Sequence, residues 1–224
     1  MLATGARTEL VKEWPGIRHA LAAVRFLEAW WFDTTRRVQT AGEVSLDQLT
    51  LAGSAETGHR YAPVRPVAAR RLFRALPPIS FPEYTFVDFG SGKGRMLLLA
   101  AERSFREIHG VEFATELHAI AESNIQRYRS SRQQCRAIHS FAMDARDYSF
   151  PNSPLVVYFY NPFADSVMAD VLRRLETSLD IAPRDVLLIL LYPEQAHLLT
   201  DSQYFTPHCQ TFHFHIYRSR GRRQ

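Results

Sequence analysis

From Tyr84 onward the chain alternates short apolar runs rich in Val, Ile, Phe and Tyr with segments of helical period. That alternation predicts βαβ units stacked into a mostly parallel sheet. Strands are expected near residues 84–89, 107–112, 136–141, 154–160 and 185–192, with one or two more between Tyr204 and Arg218. Between them, Leu117, Ile120, Ala121 and Ile125 make one apolar stripe on a helix over residues 114–128. Val167, Val171, Leu172 and Leu175 make another over residues 165–179. Each stripe would cover one face of the sheet, which gives a doubly wound α/β architecture of six or seven strands with helices on both faces. Before Tyr84 the pattern changes to an aromatic-rich helical stretch from Ile17 to Phe32, a polar, turn-prone segment from Thr40 to Gly58, and a helix from Val64 to Leu76 closed by Pro77 and Pro78. Residues 1–78 therefore read as a helical cap or extension with a substrate-side loop, and residues 79–224 as the α/β domain.

One strand end carries more chemistry than the others. Phe86-Val87-Asp88-Phe89 runs into Gly90-Ser91-Gly92-Lys93-Gly94 and then into the apolar helix that starts at Arg95. An apolar strand ending in an acid, a glycine-rich turn and a helix is how a Rossmann-like nucleotide site begins. Glycine there permits positive φ and lets a ligand approach where a Cβ would stand. The spacing is D-x-G-x-G-x-G. A dinucleotide fingerprint, G-x-G-x-x-G, needs its third glycine where this chain has Arg95, which argues against an NAD-dependent oxidoreductase.

The loop resembles motif I of the class I S-adenosylmethionine-dependent methyltransferases, and three further landmarks follow in the order of that family. Gly110-Val111-Glu112-Phe113 ends the second strand, with Glu112 about 20 residues past the first glycine, as for a ribose-binding acid. Ala142-Met143-Asp144-Ala145 follows the third, and Asn161-Pro162-Phe163 the fourth. The resemblance implies S-adenosylmethionine as cofactor, held by Asp88, Gly90, Ser91, Gly92, Gly94, Glu112, Phe113, Asp144, Ala145 and Asn161. Glu112 would accept both ribose hydroxyls, Phe113 would pack on the adenine, and Asp144 would read its amino group. Each acid has a plainer role beside this one: Glu112 as a cap for the helix beginning near Ala114, Asp144 as the side chain of an Asx turn. Asn161-Pro162-Phe163 resembles a shortened N-P-P-[YF] motif of amino methyltransferases, whose Asn accepts a hydrogen bond from the target nitrogen; here the second proline is missing. Asn161, Tyr160 and Tyr61 are the candidate catalytic residues, with His59 as another possible base for an oxygen target. The nearest likeness is to the non-SET protein lysine methyltransferases and uncharacterised bacterial relatives. It implies transfer of a methyl group to a nitrogen or oxygen of a small molecule or protein side chain, with a non-catalytic S-adenosylmethionine-binding protein as the alternative.

Composition narrows the partners. The formal net charge is +4, and four arginines near the end, Arg218, Arg220, Arg222 and Arg223, account for it. With the basicity assigned to a solvated tail, no basic face is expected and nucleic acid is not an expected partner. Cys135 and Cys209 lack a C-x-x-C neighbour, and His208, Cys209, His213 and His215 fall where Thr211 to Tyr217 alternates as a half-exposed strand, so no metal site is expected. No segment reads as a membrane span or secretion signal, and a cytoplasmic protein is expected. The oligomeric state is left open.

Overall fold

A computed structural model describes residues 15–44 and 61–220. His59, most of the polar segment after Thr40, and Arg222 and Arg223 lie outside the described residues.

Seven strands form one sheet: β1 (Thr85–Phe89), β2 (Glu107–Glu112), β3 (Ile138–Ala142), β4 (Leu155–Phe159), β5 (Val186–Leu191), β6 (Phe205–Gln210) and β7 (Phe214–Ser219), in the order β3-β2-β1-β4-β5-β7-β6. The first five are mutually parallel, whereas β7 runs antiparallel to β5 and to β6. The order reverses between β1 and β4, which places a crevice at the carboxyl ends of those strands, where ligands of open α/β sheets bind. Strands β1, β4 and β5 are buried throughout, as expected of strands covered on both faces. Phe86, Tyr158, Leu187 and Ile189 join the core on one face, and Val87, Phe89, Val157, Phe159, Leu188 and Leu190 the core on the other.

The helices follow their sequence signals. Helix α1 spans Pro15–Arg36 and α2 Pro66–Ala75; α2 opens on Pro66, which lacks the amide the first turn cannot use, and stops before Pro77. Helix α3 (Arg95–Ala100) is short and wholly buried, and α4 (Thr115–Arg127) covers β2 and β3. Helix α5 (Asp165–Ile181) presents the expected stripe, Val167, Val171, Leu172 and Leu175, to the second core, and Pro183 ends it.

Two expectations at the C-terminal end are corrected. The half-exposed strand expected over Thr211 to Tyr217 begins only at Phe214: Phe212 sits in the β6–β7 hairpin turn, 85% exposed, while Ile216 and Tyr217 are both buried, one in each core. Arg218 is no tail residue: it lies in β7 and forks onto Asp185, with bonds of 2.9 and 2.8 Å. No helix among the described residues is long and apolar enough to cross a membrane.

Candidate active site

The crevice between β1 and β4 opens into a cleft that encloses about 620 Å³ when the open space at its mouth is included. The structure brings Asp88, Gly90, Ser91, Gly92, Glu112, Phe113, Tyr160, Asn161 and Tyr61 to its walls. These come from three strand ends and from the segment before α2, so the landmarks of the sequence converge in space.

Glu112 is the anchor. One carboxylate oxygen accepts from the Gly92 amide at 2.7 Å and the other from the Ala114 amide at 2.9 Å. The helix-capping role weighed from the sequence is thus present, and it is joined to a second one, fixing the glycine loop from below. Each oxygen retains lone-pair capacity after one bond. Burial raises the Glu112 carboxyl above its usual range, and the backbone amides pull it partly back. Asp88, in register with Gly110 on β2 and Tyr158 on β4, is raised well above the usual carboxylate range by burial first and by the Glu112 charge second. No hydrogen-bond donor meets its side chain among the described residues. Two hydroxyls beside it, Ser91 Oγ and Tyr158 OH, are also buried without a partner. A buried polar group without a bond is costly, so this cluster is arranged for something other than the apo fold.

The glycines do not serve quite as the sequence suggested. At Gly92, φ is +54° and a Cβ would stand 2.1 Å from Tyr61 Cδ2; at Gly90 it would stand 2.5 Å from Pro162 Cβ. The space left by the missing side chains is therefore taken by the chain's own rings, one from the segment before α2 and one from the end of β4. Gly94 does not line the cleft; its space faces Ala121 of α4.

Tyr61 is held in place. Its hydroxyl donates to the Thr40 carbonyl at 2.8 Å, its backbone pairs with Val44, and Lys93 Nζ lies 5.2 Å over its ring. Burial raises the phenol pKa, so Tyr61 contributes a wall, not a ready base. The same segment is stitched to the loop by Lys93 Nζ on the Ala41 carbonyl, by Asn124 bridging Gln39 and Lys93, and by Arg95, which reaches Thr40 Oγ1 at 2.6 Å and Asp33 at 3.3 Å.

Asn161 closes the far side in a left-handed conformation, φ +43°. Its Nδ2 donates to Glu194 Oε2 at 2.8 Å. A carboxylate only accepts, so Glu194 orients the amide with Oδ1 left over as an acceptor. Glu194, just past β5, was missed in the sequence, as was Tyr158; the signal was available, since an acid at the carboxyl end of a parallel strand is the same feature that marked Asp88 and Glu112. Tyr160 lies beside Tyr192, ring centroids 5.6 Å apart, and Tyr192 is itself strained at φ +51°.

Asp144 and Ala145 are not among the cleft-lining residues. Asp144 caps a short 3₁₀ turn (Ala145–Asp147) and takes three bonds from Arg146, at 2.8, 3.0 and 2.7 Å, which lower its pKa; Ala145 is buried in the second core. The Asx-turn alternative describes this geometry. Among the described residues no group of three or more His, Cys, Asp or Glu could hold a metal.

No family model and no curated protein matches the sequence. Solved structures do share its fold. A protein of Listeria monocytogenes str. 4b F2365, described as a "predicted N6-adenine-specific DNA methylase", aligns at TM-score 0.52 and 15% identity, over 76% of this chain and 53% of its own. A "possible methylase" of Clostridium difficile 630 aligns at TM-score 0.51 and 14% identity, over 73% of this chain and 54% of its own. The chain spans about half the length of either. What it shares with them at these identities is the fold, an α/β architecture that in this chain is a mostly parallel, Rossmann-like sheet.

Proposed function

We propose that the protein is a class I methyltransferase that binds S-adenosylmethionine in the β1–β4 cleft and passes its methyl group to a nitrogen or oxygen of an acceptor. The observation that carries the reading is the pair of buried carboxylates, Asp88 and Glu112, on either side of the glycine loop. Two like charges in a poorly solvated cleft raise each other's energy, and a cation between them relieves both. A ligand with a sulfonium, an ammonium and a ribose diol supplies positive charge and hydroxyl donors; a pyrophosphate would add two negative charges to the same place. The residues present therefore fit S-adenosylmethionine and oppose NAD.

Glu112 would take the ribose hydroxyls with its remaining lone pairs, Asp88 the positive methionine end, and Ser91 Oγ and Tyr158 OH would gain the partners they lack. When bound, the cofactor supplies an electrophilic methyl group on sulfur. The chain's part is then positioning and exclusion of water, since such a displacement needs an aligned lone pair more than a covalent partner. Asn161 Oδ1, its direction set by Glu194, is suited to accept a hydrogen bond from an amine acceptor, with Tyr160 at the same rim. Asp144 and Ala145 remain proposed cofactor contacts only if the turn that holds them faces the adenine.

Calorimetric titration with S-adenosylmethionine and with NAD tests this directly. Micromolar binding of the methyl donor and none of NAD is expected. Binding of NAD alone, or of neither, overturns the reading.

A further inference from the structure

We infer that the chain carries a second site, a groove for single-stranded nucleic acid on the face formed by α1, the start of α2 and the loop between α4 and β3. The groove encloses about 1360 Å³ open to solvent and is lined by four guanidinium groups, Arg36, Arg70, Arg129 and Arg132, with Trp31 at its rim and Ser130 between the last two. This basic face was not expected from the sequence, whose net charge had been assigned to the tail. It arises because arginines from three separate segments gather while the acids nearby are already paired. Glu28 is held by Arg65 at 2.8 Å, and Glu102 by Arg36 at 3.1 Å, which leaves Arg70, Arg129 and Arg132 as the groove's cations without a carboxylate partner among the described residues. Arg70 and Arg132 have neither an ion pair nor a side-chain hydrogen bond among the described residues, and Arg70 Nε is buried without any acceptor. A guanidinium group that lines a groove and has no carboxylate partner in its own fold is able to pair with an anion from outside.

The shape chooses the occupant. An anionic bilayer is flat and cannot follow the protein surface down to a recessed guanidinium, whereas one phosphodiester strand can lie along the groove with its bases turned outward. Trp31 is 63% exposed, an indole face of the kind on which unpaired bases stack. Phe32 forms the groove floor and lies between the Arg36 and Arg95 guanidinium groups, 4.5 and 5.0 Å from its ring. Arg95 also lines the cleft, so the groove backs onto the candidate active site without sharing its ligand groups. The inference goes beyond the methyl-transfer reading and does not depend on it.

The test is fluorescence anisotropy of a labelled single-stranded RNA of about 12 nucleotides, a length suited to such sites, titrated with the full chain over a series of salt concentrations. The wild type is expected to bind at low salt and to lose affinity steeply as salt rises. The Arg70→Gln/Arg132→Gln variant should lose about 1.4 from the magnitude of the slope of log K against log salt, since each phosphate contact on a single strand contributes about 0.7. Arg132→Gln alone, a change at an exposed loop position that cannot unfold the chain, should lose about 0.7. Trp31→Ala, also exposed, should weaken binding by about five-fold or more. Absence of RNA binding by the wild type, an unchanged slope in both arginine variants, or binding to phosphatidylserine vesicles in place of RNA overturns the inference. Titration of the same variants with S-adenosylmethionine should be unaltered, so failure of the groove and failure of the cleft assignment are read separately.

Discussion

Replacing Glu112 by Gln asks whether one carboxylate both holds the glycine loop and receives the ligand. In the wild type its two oxygens accept from the Gly92 and Ala114 amides, and the residue is only 4% exposed. Glutamine keeps the shape and one acceptor but presents its NH₂ to the second amide, so one buried N–H is left unmet. That costs about 1–3 kcal/mol, and turning the remaining charge-assisted bond into a neutral one costs about 1 kcal/mol more. Removing a carboxylate that burial already disfavours returns part of this. The net expectation is a loss of about 1–3 kcal/mol, or a fall in Tm of about 2–12 °C for a chain of this size. Thermal and urea unfolding followed by far-UV circular dichroism measure it, with calorimetric titration of S-adenosylmethionine alongside. Donor affinity should fall by at least about ten-fold, the equivalent of about 1.4 kcal/mol. An unchanged Tm would refute the loop-holding role, and an unchanged affinity the ligand role.

Three further outcomes are expected. Asp88 has a raised pKa when folded, so the native state holds a proton there that the unfolded chain releases, and the stability this provides at low pH is lost as pH rises through the raised value. Asp88→Asn should therefore match the wild type at about pH 4 and exceed it at about pH 8, while binding the methyl donor more weakly; a stability difference that does not change with pH refutes the argument. Gly92→Ala places a Cβ 2.1 Å from the Tyr61 ring in a left-handed residue, so it should destabilise by about 2 kcal/mol or more. Tyr61→Ala in that background should recover only the steric part, as a double-mutant cycle of urea midpoints would report. Asp33 accepts from the Thr40 amide, the Thr40 hydroxyl and the Ala41 amide and pairs with Arg95, which is 3% exposed, so Asp33→Ala strands a buried charge and should cost about 3–5 kcal/mol in urea unfolding. A loss under about 1 kcal/mol would show that the end of α1 is not part of the cooperative fold.

The sheet was legible because strands buried on both faces leave continuous apolar runs, as Val186–Leu191 does, and because the helices between them carry a clear period. The glycine loop and Glu112 were legible for a similar reason: their roles depend on neighbours a few residues away and on the end of a strand. Contacts made across long separations were not. The place of Glu194 after β5 marks it as a strand-end acid but not as the partner of Asn161, and nothing near Gly92 announces that Tyr61 fills its missing side chain. Asp144 shows the converse, since its partner, Arg146, lies two residues away and the Asx turn could be read from the local sequence. The basic groove was hidden by composition, because in a chain so rich in arginine the four that converge look like the many that do not.

The glycine loop is touched from before α2 by Tyr61, from after β4 by Pro162, and from α4 by Ala121. Its geometry thus depends on parts of the chain far from it in sequence, made at quite different times as the polypeptide leaves the ribosome. Closing such long segments is entropically slow, so the cleft should be among the last regions to acquire its native form and among the first to open under mild denaturant. Hydrogen exchange at the Gly92 and Ala114 amides would then report ligand competence itself, distinct from the early-forming sheet beneath, and a bound ligand would protect those two amides beyond what it does for the strands.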